Sequence, residues 1–253
     1  MENASESTIK GTGVVAGVAY AEAVWVRPRP ALPTEGSIDP EQASDSEYDR
    51  FLAAVDTVAG RLEQRAAAAE GQAAEVLTAT AGMVKDRGWH KAVRKNIRTG
   101  RNAEFATVGA TDKFVTMFEA AGGVMAERTT DLKDVRDRVI AELRGEDEPG
   151  LPLVDGEAVL FADDLAPADT ATLDTKHIKA LVTELGGPTS HTAIIARQLD
   201  IPCIVAVGAA LSDIESGTLV FVDGAVGAVT LGADEEASTK AVAEYRERAA
   251  RVA

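Results

Sequence analysis

Between about residues 38 and 145 the chain carries no strand signal, yet strand patterns stand on both sides of that stretch. Ahead of it, Val14, Val15, Val18, Ala23, Val24, Trp25 and Val26 read as one or two strands, closed by Arg27-Pro28-Arg29-Pro30 and Pro33, while residues 1 to about 10 read as polar and loose. After it come short apolar runs at 158–161, 180–182, 204–207, 218–222 and 228–231, with helical pieces between the earlier ones, including one near 169–173. That is α/β patterning. The N-terminal strands are too few to bury a face alone, so they are expected to pair with the later ones. The reading is a discontinuous α/β domain of residues 1–36 and 147–233, an inserted all-α subdomain of 37–146, and a C-terminal helix of 234–253, acidic first and basic last as a helix dipole prefers.

The inserted stretch is punctuated as helices. Asp39-Pro40-Glu41 supplies a capping side chain, a proline for the first helical position and an acid for the first turn. Tyr48, Phe51, Leu52, Val55, Val58 and Leu62 follow at helical spacing, so the first helix is expected to reach about Ala69. Further helices are predicted over 73–88, 89–97, 103–121 and 124–143, bounded mostly by glycine.

The chemistry concentrates in Gly186-Gly187-Pro188-Thr189-Ser190-His191-Thr192-Ala193-Ile194-Ile195-Ala196-Arg197, which reads as a glycine turn leading from a strand into a helix. Pro188 and the hydroxyls of Thr189 and Ser190 fall where a helix start needs a fixed φ and a capping oxygen, which puts His191 in the first turn. The first N–H groups of a helix have no internal acceptor and the dipole there is positive, so an anion finds ready donors. A neutral imidazole in that position has a lone pair for attack on phosphorus. Ile194, Ile195 and Leu199 are expected to form the buried face of this helix.

These residues, with Ile201-Pro202 downstream, resemble the phosphohistidine signature of the phosphoenolpyruvate-utilising enzymes, and within that group the N-terminal part of Enzyme I of the bacterial sugar phosphotransferase system. The similarity extends to 11–19, to Glu127-Arg128-x-x-Asp131-x-x-Asp134-x-x-x-Arg138 and to Asp164-Leu165-x-Pro167-x-x-Thr170-x-x-Leu173, in the family's order. It implies a swivelling α/β phosphohistidine domain, an inserted helical-hairpin subdomain that docks the small carrier protein HPr, and a linker helix. It implies that His191 carries the phosphoryl group, that the Thr170 hydroxyl bonds the resting imidazole, and that Ser190, Thr192 and Gly187 supply hydroxyl or backbone donors to the phosphate. By the same resemblance Glu70, Glu75, Val76, Met83, Val84, Asp86 and Arg128 are candidates for the HPr surface. The family's phosphoenolpyruvate site, its magnesium and its dimer contacts lie in a C-terminal barrel to which nothing here corresponds. This stretch is therefore expected to be a monomer without a cofactor, exchanging phosphate with HPr but not drawing it from phosphoenolpyruvate.

Charge and composition narrow the alternatives. A formal charge of −15 excludes a general nucleic-acid binder and favours a basic protein partner. There is no membrane-spanning apolar run and no leader pattern, and Cys203 is the single cysteine, which together suit a cytoplasmic protein. Cys203 lies in an apolar run and reads as a buried, inert thiol. His90, in a basic stretch, and His177 read as surface residues, and no histidine has metal-site spacing. Arg197 is expected to serve structure rather than phosphate. Two other readings are carried: the phosphohistidine domain of a dikinase or phosphoenolpyruvate synthase relative, which would lack the helical insertion, and a non-catalytic interaction module, which would have no need of His191 and Thr170. A Ser190–His191 hydrolase fails, because neighbours in a helical turn point about 100° apart.

Overall fold

The computed structural model describes residues 6–69, 71–152, 154–165, 169–170 and 173–252. It divides into two compact units, one built from the two ends of the chain, through Val26 and from Leu151 on, and the other from Arg27–Gly150.

The first unit is an eight-stranded sheet of order β1-β8-β7-β3-β4-β5-β6-β2. Its strands are β1 Ser7–Lys10, β2 Thr12–Val15, β3 Val18–Trp25, β4 Ala158–Ala162, β5 Ile178–Thr183, β6 Cys203–Val205, β7 Leu219–Asp223 and β8 Ala228–Leu231. β3, β4, β5 and β6 pair parallel with one another, and all the other pairings are antiparallel. β1 and β2 occupy opposite ends of that order although Gly11 alone separates them in the chain, so the sheet rolls until its two edges meet. The seam is made of close backbone contacts. A Cβ on Gly13 would lie 2.2 Å from the Gly224 carbonyl oxygen, and one on Gly224 would lie 2.0 Å from that of Val15, so only glycine fits at either place.

The expectation that residues up to 10 are loose is corrected for 7–10, which form β1 in register with β8 (Ser7 opposite Leu231, Lys10 opposite Ala228). The strand is short, polar and at an edge, and its partner lies at the far end of the chain, so nothing local announces it.

Every residue of β4 is buried, as a parallel strand covered on both faces requires. Alternate residues feed two cores: Val159 and Phe161 join Val182, Ile204, Val220 and Val222, whereas Ala158, Leu160 and Ala162 join Leu165, Leu181, Ala196 and Cys203. Trp25 packs edge-on against Phe161 and donates its indole N–H to the Ile214 carbonyl at 2.6 Å, so its one polar atom is satisfied. Burial pushes the Cys203 thiol up to about 12. At pH 8 the native protein is therefore expected to resist alkylation by iodoacetamide and to react only in denaturant; labelling of the native form at the rate of a free thiol would contradict this burial.

The second unit contains α1 Pro40–Ala68, α2 Gly71–Val84, α3 Arg87–Arg98, α4 Ala103–Ala121, α5 Gly123–Glu127 and α6 Thr129–Arg144. Asp39, Asp86 and Asn102 cap α1, α3 and α4 by accepting N–H groups of Glu41, Trp89 and Phe105. Phe51, Val55, Val58, Leu62, Trp89 and Val139 centre one core, and Trp89 donates to the Thr111 hydroxyl at 3.2 Å. The unit is wider than 37–146: Arg27 and Gly150 exchange backbone hydrogen bonds of 3.0 Å each, and Arg29 pairs with Asp137 at 2.9 Å, so the proline-rich entry segment is tied to the helices. The helix expected over 124–143 is broken at Arg128, which stands between α5 and α6. The break expected at Gly88 falls instead at 85–86, where the Asp86 cap starts α3.

His90 is corrected from surface to half-buried. Its Nε2 lies 2.7 Å from the Val84 carbonyl oxygen and its ring meets Phe51 edge-on at 5.4 Å. The basic residues around it on α3 point away, while the helical period turns His90 inward beside Trp89.

Candidate functional site

The site forms where β4 and β5 end and α7 (His191–Leu199) begins, at the carboxyl edge of parallel strands. Beyond β5, Gly186 takes φ +90°, and the Gly187 carbonyl accepts the Ser190 N–H at 3.0 Å, closing a turn that delivers Ser190 as the helix cap. Its Oγ accepts the Ala193 N–H at 3.3 Å. His191 is then the first helical residue, and it is exposed. Thr170, mostly buried, places Oγ1 3.1 Å from the His191 Nε2. The hydroxyl and the imidazole are within hydrogen-bond distance across 21 residues of chain.

Of the hydroxyl and backbone donors expected of Thr192, the geometry leaves the backbone one: its side chain is fully buried and its hydroxyl donates to Asp164 Oδ1 at 2.8 Å, so only the backbone N–H, at the second helical position, can serve an anion. Ser190 keeps a hydroxyl proton to donate, and a Cβ at Gly187 would meet nothing within 4 Å, which leaves open space there. The conformationally demanding glycine is Gly186. Accordingly Gly186→Ala is expected to destabilise the protein by about 1–3 kcal/mol and Gly187→Ala by under about 0.5 kcal/mol in urea unfolding; equal losses would contradict this turn geometry.

The buried face of α7 is also corrected. Thr192, Ala193 and Ala196 face the sheet, while Ile194 and Leu199 are 46% and 38% exposed. The face toward the sheet is thus made of small side chains, with Ile195 half-buried at its margin, while Ile194 and Leu199 turn outward. With Leu185, 58% exposed, they put apolar surface on the segments that carry the histidine. Arg197 lies in the last turn, suiting the helix C-terminus. His177 holds Asp174 through Nδ1 at 2.8 Å, in a turn before β5.

The residues considered for a partner surface divide in the second unit. Glu70 lies outside the described residues. Glu75 and Arg128 are exposed, Val76 and Met83 half-buried, and Asp86 is exposed but engaged as the cap of α3. Val84 has no exposed surface and belongs to the helical core, so it cannot meet a partner; its carbonyl already holds His90. Sequence reasoning missed Met117, Val124 and Met125, which are 52%, 69% and 38% exposed on α4 and α5. The Gly122-Gly123 pair was the available signal, since a helix broken there leaves apolar residues around the break without a core to enter. Asp164 was missed as well: its partner Thr192 lies 28 residues on, and no local spacing reveals the pairing. The Asp134–Arg138 motif pair proves structural, an ion pair of 2.6 Å within α6. Among the described residues no helix is long and apolar enough to cross a membrane.

Residues 10–128 match the family described as PEP-utilising enzyme, N-terminal, and residues 154–227 that described as PEP-utilising enzyme, mobile domain. The phosphoenolpyruvate-protein phosphotransferase of Streptomyces coelicolor is 41% identical over 98% of this chain and 44% of its own length. That of Bacillus subtilis is 34% identical over 95% of this chain and 42% of its own. The chain thus spans less than half of these relatives. A solution structure of an Enzyme I protein superposes with a TM-score of 0.73 at 29% identity, covering 95% of this chain and 97% of that one. The N-terminal domain of a nitrogen Enzyme 1, at 22% identity and a TM-score of 0.58, shares the fold. A histidine at a capped helix start beside the parallel strands of a rolled mixed sheet, a helical unit interrupting that sheet's sequence, and these matches over nearly the whole chain together show that it belongs to the phosphoenolpyruvate-utilising enzymes, on the branch of the phosphoenolpyruvate-protein phosphotransferases and in the part of them that is N-terminal.

Proposed function

We propose that His191 is a phosphoryl carrier, loaded from phosphoenolpyruvate by way of the remaining part of a full-length phosphotransferase and discharged reversibly to a histidine of HPr. The observation that carries this reading is the exposed His191 ring at the first position of a capped helix, with its Nε2 against the Thr170 hydroxyl. In the resting state the hydroxyl occupies the Nε2 lone pair. As the ring turns away from Thr170 the lone pair is freed; in the reverse exchange, from phospho-HPr, the Nε2–P bond forms in line as the N–P bond on the HPr histidine breaks and that imidazole leaves with its electron pair. The Nδ1 of His191 carries the ring proton throughout. The His191 and Thr192 N–H groups, unbonded within the helix, and the Ser190 hydroxyl are read as the donors to the phosphoryl oxygens. Such a transfer asks the protein for position and charge stabilisation rather than for covalent help. It draws on no cofactor in this part of the protein; magnesium is assigned to the phosphoenolpyruvate step.

The helical unit is read as the HPr-docking subdomain, with Met117, Val124 and Met125 added to Glu75, Met83 and Arg128 as its contact candidates. Exposed apolar groups in a chain of charge −15 suit a partner whose own apolar patch is ringed by basic residues. The apolar residues near His191 (Leu185, Ile194 and Leu199) suit a second protein surface, that of the phosphoenolpyruvate-binding part. α8 (Glu235–Val252), which packs against β3, is read as the linker toward it. The test is exchange with ³²P-labelled phospho-HPr. Acid-labile label arriving on this chain supports the reading, and no transfer to the intact protein removes it.

A further inference from the structure

Two ties join the segment after β4 to the first turn of α7, and the phosphoryl step makes opposite demands on them. One is the Thr170–His191 contact of 3.1 Å, which has to open before Nε2 can take a phosphoryl group. The other is one residue further along α7. Asp164 Oδ1 accepts the Thr192 hydroxyl at 2.8 Å and the Leu165 N–H at 2.9 Å, and that N–H also reaches Thr192 Oγ1 at 3.3 Å. This second tie is anchored on both sides. Thr192 is fully buried, and Leu165 lies in the same core as Ala196 of α7.

The chemistry of a carboxylate limits what Asp164 can do here. An ionised carboxylate only accepts hydrogen bonds, so it cannot donate to a phosphoryl oxygen, and its charge opposes that of a phosphate. What it can do is hold donors in place, and the two it holds come from the two segments that meet at the histidine. We infer that Asp164 is a positioning residue for the transfer, acting through Thr192: it fixes the Thr170-bearing segment against the start of α7, so that Thr170 stands over Nε2 in the resting ring and the helix start stays in place when the ring turns. This inference rests on the reading of His191 as the phosphoryl carrier.

The test separates positioning from mere folding. The side-chain ¹⁵N resonances of His191 in the unphosphorylated protein report the hydrogen bond at Nε2 without any partner. Asp164→Ala and Thr192→Val are expected to move the Nε2 resonance toward its place in Thr170→Ala. Asp164→Asn, which keeps an acceptor oxygen, and Thr192→Ser, which keeps the donor, are expected to stay near the parent. In exchange with phospho-HPr the first two are expected to lose about tenfold in kcat with KM unchanged. Folded Asp164→Ala and Thr192→Val proteins that keep the parent resonance would overturn the inference. Should Asp164→Ala not fold, the Thr192 pair decides, because it leaves the carboxylate in place. The two readings also fail separately: a parent protein that takes no label from phospho-HPr removes the carrier assignment, and an unmoved resonance removes only the positioning role.

Discussion

His191→Ala is expected to fold as the parent does and to take no label from phospho-HPr. Folding should survive because the ring is exposed and stands at the first position of α7, where the cap is made by Ser190 and the helix packs through Thr192, Ala193 and Ala196. Alanine is also the better helix former, so the change in unfolding free energy should lie within about 0.5 kcal/mol. Loss of label should be complete because the other histidines are placed for different tasks. The His90 Nε2 is held by the Val84 carbonyl against Phe51, and His177 is bonded to Asp174 in a turn. Neither stands at a helix start with open donors facing it. The measurement pairs thermal unfolding with acid-labile ³²P uptake from phospho-HPr. A folded His191→Ala protein that still accepts label would move the carrier role to another residue.

Much of this arrangement can be read from the chain, because local rules decide it. Asp39-Pro40-Glu41 starts α1, and the glycine turn with Ser190 starts α7, since capping needs only residues a few positions apart. What escaped depends on distant partners. β1 is polar and gains its pairing from β8, at the other end of the unit. α7 looks amphipathic through its isoleucines, yet what it buries against the sheet is Thr192, Ala193 and Ala196, with Ile195 half-buried and Ile194 and Leu199 exposed. Val84 and His90 differ from their neighbours only in the direction the helix turns them, which shifts with a boundary moved by two or three residues. Asp164 and Thr192 carry no mark of their pairing until the end of β4 and the start of α7 are brought together.

Glu148→Ala is expected to cost the helical unit about 3–5 kcal/mol, a large part of the stability a domain of this size holds. Glu148 is the shared carboxylate of a buried cluster. One oxygen bonds Arg138 Nη1 and the other lies 3.3 Å from Arg65 Nη2, with both guanidinium groups largely shielded from water. Burial pulls the Arg65 guanidinium below its ordinary range despite Glu148, and the neighbouring Arg138 and Arg61 add to that pull. Arg138 is opposed by burial too, yet Asp134 and Glu148 hold it above the usual value. Removing the carboxylate therefore leaves Arg65 without the acid paired with it and takes one of two from Arg138, whose bond to Asp134 at 2.6 Å persists. An uncompensated buried charge is the costly outcome, far more so than loss of an exposed pair such as Lys85–Glu63, where Glu63→Ala should cost under about 1 kcal/mol. Urea unfolding followed by the fluorescence of Trp89, buried in the helical core, in a Trp25→Phe background measures both variants. Similar midpoints for the two would show that the cluster contributes no more than a surface pair. A large loss for Glu148→Ala alone would establish that the residues joining α1, α6 and the end of the helical unit hold that unit together.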